Sequence, residues 1–198
     1  DLMDSYIESG KADVLCLGRP LICDADWCSK VAAGQWEDVR PCINCLEGCI
    51  IKVAQGQALQ CAVNPIVGKE YRIDEQAPAA EKKNIVVAGG GAAGMETARA
   101  AALRGHKVTL FEKAERLGGQ INYAKMPPNK SRMGLIVDWY ERQLTKLGVD
   151  MRLGCEADYE NVKALKPDLV VMATGAVPMM DKLPSSVELV RPWDVLSG

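Results

Sequence analysis

The stretch Ile85-Val86-Val87-Ala88-Gly89-Gly90-Gly91-Ala92-Ala93-Gly94-Met95 decides the fold. Four apolar residues read as a buried strand, the glycines as a tight turn, and the alanine-rich run to Leu103 as a helix. Gly89, Gly91 and Gly94 stand in the G-x-G-x-x-G order that this context requires. The first glycine makes the turn, the second lets the backbone approach a pyrophosphate, and the third allows close helix packing. The helix N-terminus then presents unpaired N–H groups and a positive dipole end to the phosphates. Eighteen residues past Gly94, after a second apolar strand (residues 107–111), stands Glu112, placed to accept hydrogen bonds from ribose hydroxyls and to repel a 2′-phosphate. A purely structural βαβ turn is the competing reading, and it does not explain the terminal acid in register. Further strands are expected at residues 150–153 and 169–173, with a long amphipathic helix at about 133–147. The fold class is α/β, a doubly wound, Rossmann-like dinucleotide-binding domain over residues 84–198 that is incomplete.

Upstream, Cys42, Cys45, Cys49 and Cys61 follow the spacing C-x2-C-x3-C-x11-C, and Pro65 lies four residues beyond the last. Three closely spaced thiolates with a distant fourth suit an iron–sulfur cube. A structural zinc site also takes four thiolates, but it usually uses two C-x-x-C knuckles, and only Cys42 and Cys45 form one. Disulfides are the third option, and no signal peptide stands at residue 1 to support them. Cys16, Cys23, Cys28 and Cys155 have no ligand spacing and read as small core residues.

Residues 1–39 read as a βα unit: a helix, an apolar strand at residues 14–17, Gly18-Arg19-Pro20, and a helix that Asp24 could cap and Gly34 could end. Residues 40–69 are the cysteine segment. Residues 70–83 are polar without periodicity and read as a linker. A buried strand at 14–17 needs neighbours to satisfy its backbone. With no initiator Met, that suggests an internal fragment of a longer protein. The 198 residues carry 24 basic and 26 acidic side chains, so a formal charge of −2 gives no field for nucleic acid. No apolar run reaches the roughly 20 residues of a membrane helix, and a cytoplasmic location is expected.

Two downstream motifs bear on which dinucleotide is held, FAD or NAD. Arg116-Leu117-Gly118-Gly119-Gln120 and Ala173-Thr174-Gly175 resemble the FAD domain of the two-dinucleotide-binding flavoprotein reductases. In that domain the Gly-Gly stretch approaches the flavin side and the Ala-Thr-Gly turn marks the crossing toward a nicotinamide-binding domain. Residues 12–21 (ADVLCLGRPL) with Asp24-Ala25-Asp26-Trp27 look like the last strand and loop of an old-yellow-enzyme-type (β/α)8 barrel. Arg40-Pro41-Cys42-Ile43-Asn44-Cys45 through Cys61-Ala62-Val63-Asn64-Pro65 look like the cluster segment that follows it. The chain as a whole resembles the family of 2,4-dienoyl-CoA reductase, enoate reductase and trimethylamine dehydrogenase.

That resemblance implies three stations. Gly18 and Arg19 would hold the FMN phosphate, against a reading of Arg19 as an ordinary surface cation. Cys42, Cys45, Cys49 and Cys61 would ligate one 4Fe-4S cluster. Gly89, Gly91, Ala93, Gly94, Glu112, Gly119 and Gln120 would line FAD. Lys130 and a backbone contact near Ala157 are secondary candidates there, behind the plainer readings of a solvated lysine and a strand end. The implied activity passes electrons from NAD(P)H through FAD and the cluster to FMN, reducing the activated C=C bond of an enoate or enoyl-CoA. No residue is assigned to proton transfer, and His106 reads as a turn residue. Alternatives are an amine dehydrogenase of the same architecture, the electron-input subunit type found with glutamate synthase, and a zinc-stabilised nucleotide-binding module without activity.

Overall fold

The computed structural model describes residues 2–177 and 190–197. They divide into two compact units, Asp1–Cys42 with Leu46–Gly68, and Ile43–Cys45 with Lys69–Gly198.

The first unit holds helices α1 (Leu2–Glu8), α2 (Arg19–Cys23) and α3 (Trp27–Ala32), then a 3-10 turn at Trp36–Asp38. A π-helical turn, Glu47–Ile51, runs into the short α4 (Lys52–Ala54). The strand expected at residues 14–17 is irregular, and Val14 is exposed. The reason is the absence of a partner: no strand occurs among the described residues of this unit, so its N–H and C=O groups have no ladder to join.

The helix expected from Asp24 to Gly34 is shorter, α3 beginning only at Trp27, and Asp26, not Asp24, occupies its N-cap position, while Asp24 ends the preceding α2. The Asp24 carboxylate accepts instead from the N–H of Asp26 at 3.1 Å, the buried N–H of Arg40 at 2.7 Å and Lys30 Nζ at 2.7 Å. A buried backbone donor needs an acceptor, and satisfying Arg40 takes the side chain away from the helix end. Gly34, at φ +72°, terminates α3 as expected.

The second unit is built on a four-stranded parallel sheet in the order β3-β2-β1-β4: β1 (Asn84–Ala88), β2 (Lys107–Glu112), β3 (Asp150–Leu153) and β4 (Leu169–Met172). Helix α5 (Ala92–Leu103) connects β1 to β2. The short α6 (Ile121–Ala124) and α7 (Leu135–Lys146), which a 3-10 turn at Ser131–Gly134 leads into, precede β3. Helix α8 (Tyr159–Ala164) precedes β4, and α9 (Pro192–Ser197) follows it in sequence. Parallel strands require such crossovers, because no tight turn can join them.

Val86, Val87, Leu110 and Phe111 from the central strands are buried, with Met95 and Ala98 of α5 and Ile136, Trp139 and Leu144 of α7. Each large apolar side chain in that layer contributes about 1.5–3 kcal/mol. Among the described residues strand β4 pairs only with β1, and its Leu169, Val170 and Met172 are exposed.

Residues 70–83 form no helix or strand, yet they are tied to α5. Arg99 Nη2 reaches Glu75 Oε1 at 2.6 Å and Glu96 Oε1 at 2.8 Å, and Tyr140 donates to Glu96 at 2.9 Å. Burial opposes the Arg99 charge, but the bonds to Glu96 and Glu75 outweigh it and raise its pKa. Arg104 Nε donates to Ala77 O at 3.1 Å. His106 accepts the Lys83 N–H through Nδ1 at 3.1 Å, in keeping with a turn residue.

Candidate functional site

In the second unit the glycine loop lies at the carboxyl ends of β1 and β4, where the chain turns to opposite sides of β1 and where ligands of open α/β sheets bind. Each glycine is constrained differently. Gly89 has φ +107°, and a Cβ there would collide with the Ala173 carbonyl at the end of β4. A Cβ on Gly94 would run into Gly89 O, so α5 sits directly on the turn. Gly91 is the N-cap of α5, with φ −74° and ψ −175°, and a Cβ there would meet nothing within 4 Å. Gly89 and Gly94 are therefore glycine for packing, while none of the described residues fills the space at Gly91. Ala92 and Ala93 are exposed beside it, in the first turn of α5, where N–H groups lack intrahelical acceptors. This cradle fits a dinucleotide pyrophosphate.

Glu112 ends β2 and is buried. Its Oε2 accepts the Gly90 N–H at 2.7 Å and its Oε1 the Ala114 N–H at 2.8 Å. The carboxylate thus fixes the loop, a role the spacing did not reveal, and each oxygen keeps a lone pair for a ribose hydroxyl. Gly118 donates its N–H to Gly90 O at 2.9 Å, and a Cβ on Gly119 would stand 3.1 Å from Gly91 Cα. The Gly118-Gly119 turn therefore lies against the open glycine. Gln120 Nε2 donates to Ala176 O at 3.0 Å, tying the segment after β4 to the same wall. Lys130 lies in an exposed turn before residues 131–134, and Ala157 in the loop between β3 and α8.

In the first unit the cysteine segment is shaped by close backbone contact. Gly48 lies in the π-helical turn, and a Cβ there would be 2.5 Å from Gln60 O and 2.9 Å from Cys61 N. Gln60 N donates to Gly48 O at 2.9 Å, so the turn bearing Cys49 rests on the strand-like run into Cys61. Asn44 and Leu46, on either side of Cys45, both take left-handed conformations, φ 56° and 63°. Asparagine takes that conformation readily, whereas a leucine such as Leu46 holds it only when its surroundings impose it.

Cys42, Cys49 and Cys61 belong to the first unit and Cys45 to the second. Among the described residues no three His, Cys, Asp or Glu side chains are drawn together as a metal-holding group. The donor chemistry suits a thiolate-ligated metal centre. The Cys61 pKa is lowered to about 6, chiefly by the hydrogen bond from Cys23, then by the N–H groups of Val63 and Asn64 and the Arg40 charge, with burial opposing. Cys23 is its counterpart, raised by the contact with Cys61 and by burial.

Of the four remaining cysteines only Cys23 is a core residue: Cys16 and Cys28 are exposed. Cys155 is half-buried, and Cys23 is buried with its Sγ 3.7 Å from that of Cys61. Gly18 and Arg19 sit at the start of α2, with Arg19 half-exposed.

Residues 87–145 match the family model of the NAD(P)-binding Rossmann-like domain. The chain is 40% identical over 203 residues to the NADH oxidase of Thermoanaerobacter brockii, covering 100% of this chain and 31% of that protein. It is 41% identical over 198 residues to the cinnamate reductase of Clostridium sporogenes, covering 99% and 29%. A 2-naphthoyl-CoA reductase in complex with 2-naphthoyl-CoA superposes with a TM-score of 0.93 at 34% identity, over 100% of this chain and 30% of that one.

These relatives are old-yellow-enzyme-type iron–sulfur flavoproteins, to which the chain is similar along its whole length. It spans about 30% of the length of the relatives it matches. FMN, FAD, a 4Fe-4S cluster and NAD(P)H are the cofactors of this family, and its members are oxidoreductases. The parallel sheet of the second unit is the family's Rossmann-like domain. No helix among the described residues is long and apolar enough to cross a membrane.

Proposed function

We infer that this chain is a portion of a cytoplasmic NAD(P)H-dependent flavin oxidoreductase that reduces the activated C=C bond of an enoate or 2,4-dienoyl-CoA. One observation carries the reading: an open glycine cradle, at Gly91, occurs in the same chain as a thiol-rich segment, in a family whose compared members include a cinnamate reductase and a 2-naphthoyl-CoA reductase. The bound cofactors would supply the redox chemistry, namely hydride acceptance at FAD, one-electron carriage at the cluster and delivery at FMN.

The residues of the chain bind and orient. Residues 1–39 form the end of the FMN barrel, 40–69 the cluster segment, 70–83 a connector and 84–198 the FAD domain. Gly18 leaves room for the FMN phosphate while the Arg19 guanidinium offers it a planar pair of donors. Cys42, Cys45, Cys49 and Cys61 hold the 4Fe-4S cluster, with the N–H groups of Val63 and Asn64 stabilising negative sulfur at Cys61. The first turn of α5, including Ala93, takes the FAD pyrophosphate across the space left by Gly91. Glu112 accepts from a ribose hydroxyl, Gly119 brings backbone close to the cofactor, and Gln120 orients the wall through Ala176. Lys130 and Ala157 border the same domain as secondary contacts.

The test is turnover by the whole protein carrying this chain. Anaerobic addition of cinnamate or an enoyl-CoA should cause NAD(P)H oxidation matched one-for-one by loss of the double bond. Substrate-dependent amine oxidation without nicotinamide consumption would replace this reading with the amine dehydrogenase one.

A further inference from the structure

Cys23 lies outside the four-cysteine pattern, yet its sulfur meets that of Cys61 at 3.7 Å, within hydrogen-bond range for sulfur. The contact joins residues 38 positions apart, and two independent ties hold it. Asn64 Nδ2 donates to Ile22 O at 3.0 Å, fixing the residue before Cys23 to the segment after Cys61. Asp24 Oδ2 accepts the buried Arg40 N–H at 2.7 Å, fixing the residue after Cys23 to the run that enters Cys42. Cys23 itself is 4% exposed, so its S–H has no access to bulk water and lies against a sulfur acceptor.

A donor aimed at a ligating sulfur lowers the electron density there and favours the more negative, reduced state of a cluster. We propose that Cys23 is a positioning residue that donates its S–H to the Cys61 sulfur and thereby raises the reduction potential of the cluster. This rests on the reading of Cys61 as a cluster ligand. The proton stays on Cys23, and no bond to metal is made or broken at that residue.

The experiment is a potentiometric titration of the reduced cluster, followed by EPR, in the whole protein purified anaerobically, with iron content measured on the same samples. Cys23→Ala and Cys23→Ser are compared with the parent. Both variants should keep the parent's iron content. The alanine variant should be harder to reduce, by about fivefold in the reduction equilibrium, which is ~40 mV at 59 mV per decade for one electron. The serine variant keeps a donor and should recover most of that shift. An unchanged potential in Cys23→Ala at full iron content overturns the proposal. Loss of iron in Cys23→Ala also overturns it, because it would make Cys23 a ligand or a packing element. Absence of any cluster signal from the parent refutes instead the ligand assignment beneath it.

Discussion

Substituting Gly91 by alanine separates the binding role of the glycine loop from its folding role. Gly91 has φ −74° and ψ −175°, a backbone that alanine adopts without strain, and its Cβ would meet nothing within 4 Å. Restricting the unfolded chain stabilises the variant by about 0.4–1 kcal/mol. Replacing glycine at an N-cap by alanine costs about 0.5 kcal/mol. The two nearly cancel, so the flavin-free protein should unfold within about 0.5 kcal/mol of the parent in urea. The added methyl, however, occupies the space through which backbone would approach the pyrophosphate. FAD affinity should therefore fall at least tenfold, or about 1.4 kcal/mol, measured by flavin titration against fluorescence quenching. Gly94→Ala is the contrasting variant: its methyl would run into Gly89 O, and overpacking against backbone should destabilise the domain by about 2–3 kcal/mol. If Gly91→Ala bound FAD as tightly as the parent, the open space at Gly91 would not be the cofactor's.

In the first unit, Gly48→Ala places a methyl 2.5 Å from Gln60 O and should separate the Cys49 turn from the Cys61 run. Iron per chain should drop by more than half, and full iron retention would show that the two runs need not touch. Glu112→Ala removes the acceptor of the Gly90 and Ala114 N–H groups and should cost about 2–4 kcal/mol with loss of FAD, from the worth of hydrogen bonds to a charged group. A urea midpoint equal to the parent's would mean that the loop holds itself. Arg99→Met leaves Glu75 and Glu96 without their cation in a partly buried site. An unfolding loss of about 2–3 kcal/mol is expected, below the range for fully buried pairs because both carboxylates keep some solvent. A loss under about 0.5 kcal/mol would make the network incidental.

The Rossmann half was legible because local pattern and tertiary context agree there. Residues 92–103 are helical over the span that the glycines and alanines set, and residues 150–153 form the strand expected of them. The strand at residues 14–17 failed because a strand depends on a neighbour, which apolar residues alone do not supply. The Asp24 cap failed because Arg40, sixteen residues away, competes for the carboxylate. Helix α8 was missed although its signal was present: Asp158 caps it by accepting the Asn161 N–H at 2.7 Å. At the site, spacing gave the glycines and the thiols. It could not show that Glu112 clamps Gly90, that Gly48 touches Gln60, or that Cys23 lies on Cys61, since each contact is made by the fold across intervening chain. The reading of Cys23 as a small buried residue described its environment and missed its neighbour.

The decisive observation is the metal, sulfide and flavin content of the whole protein purified without oxygen. About four iron atoms with matching sulfide, one FMN and one FAD per chain are expected. Zinc in place of iron, or a protein without flavin, would contradict the assignment of this chain's thiols and glycine loop to electron transfer.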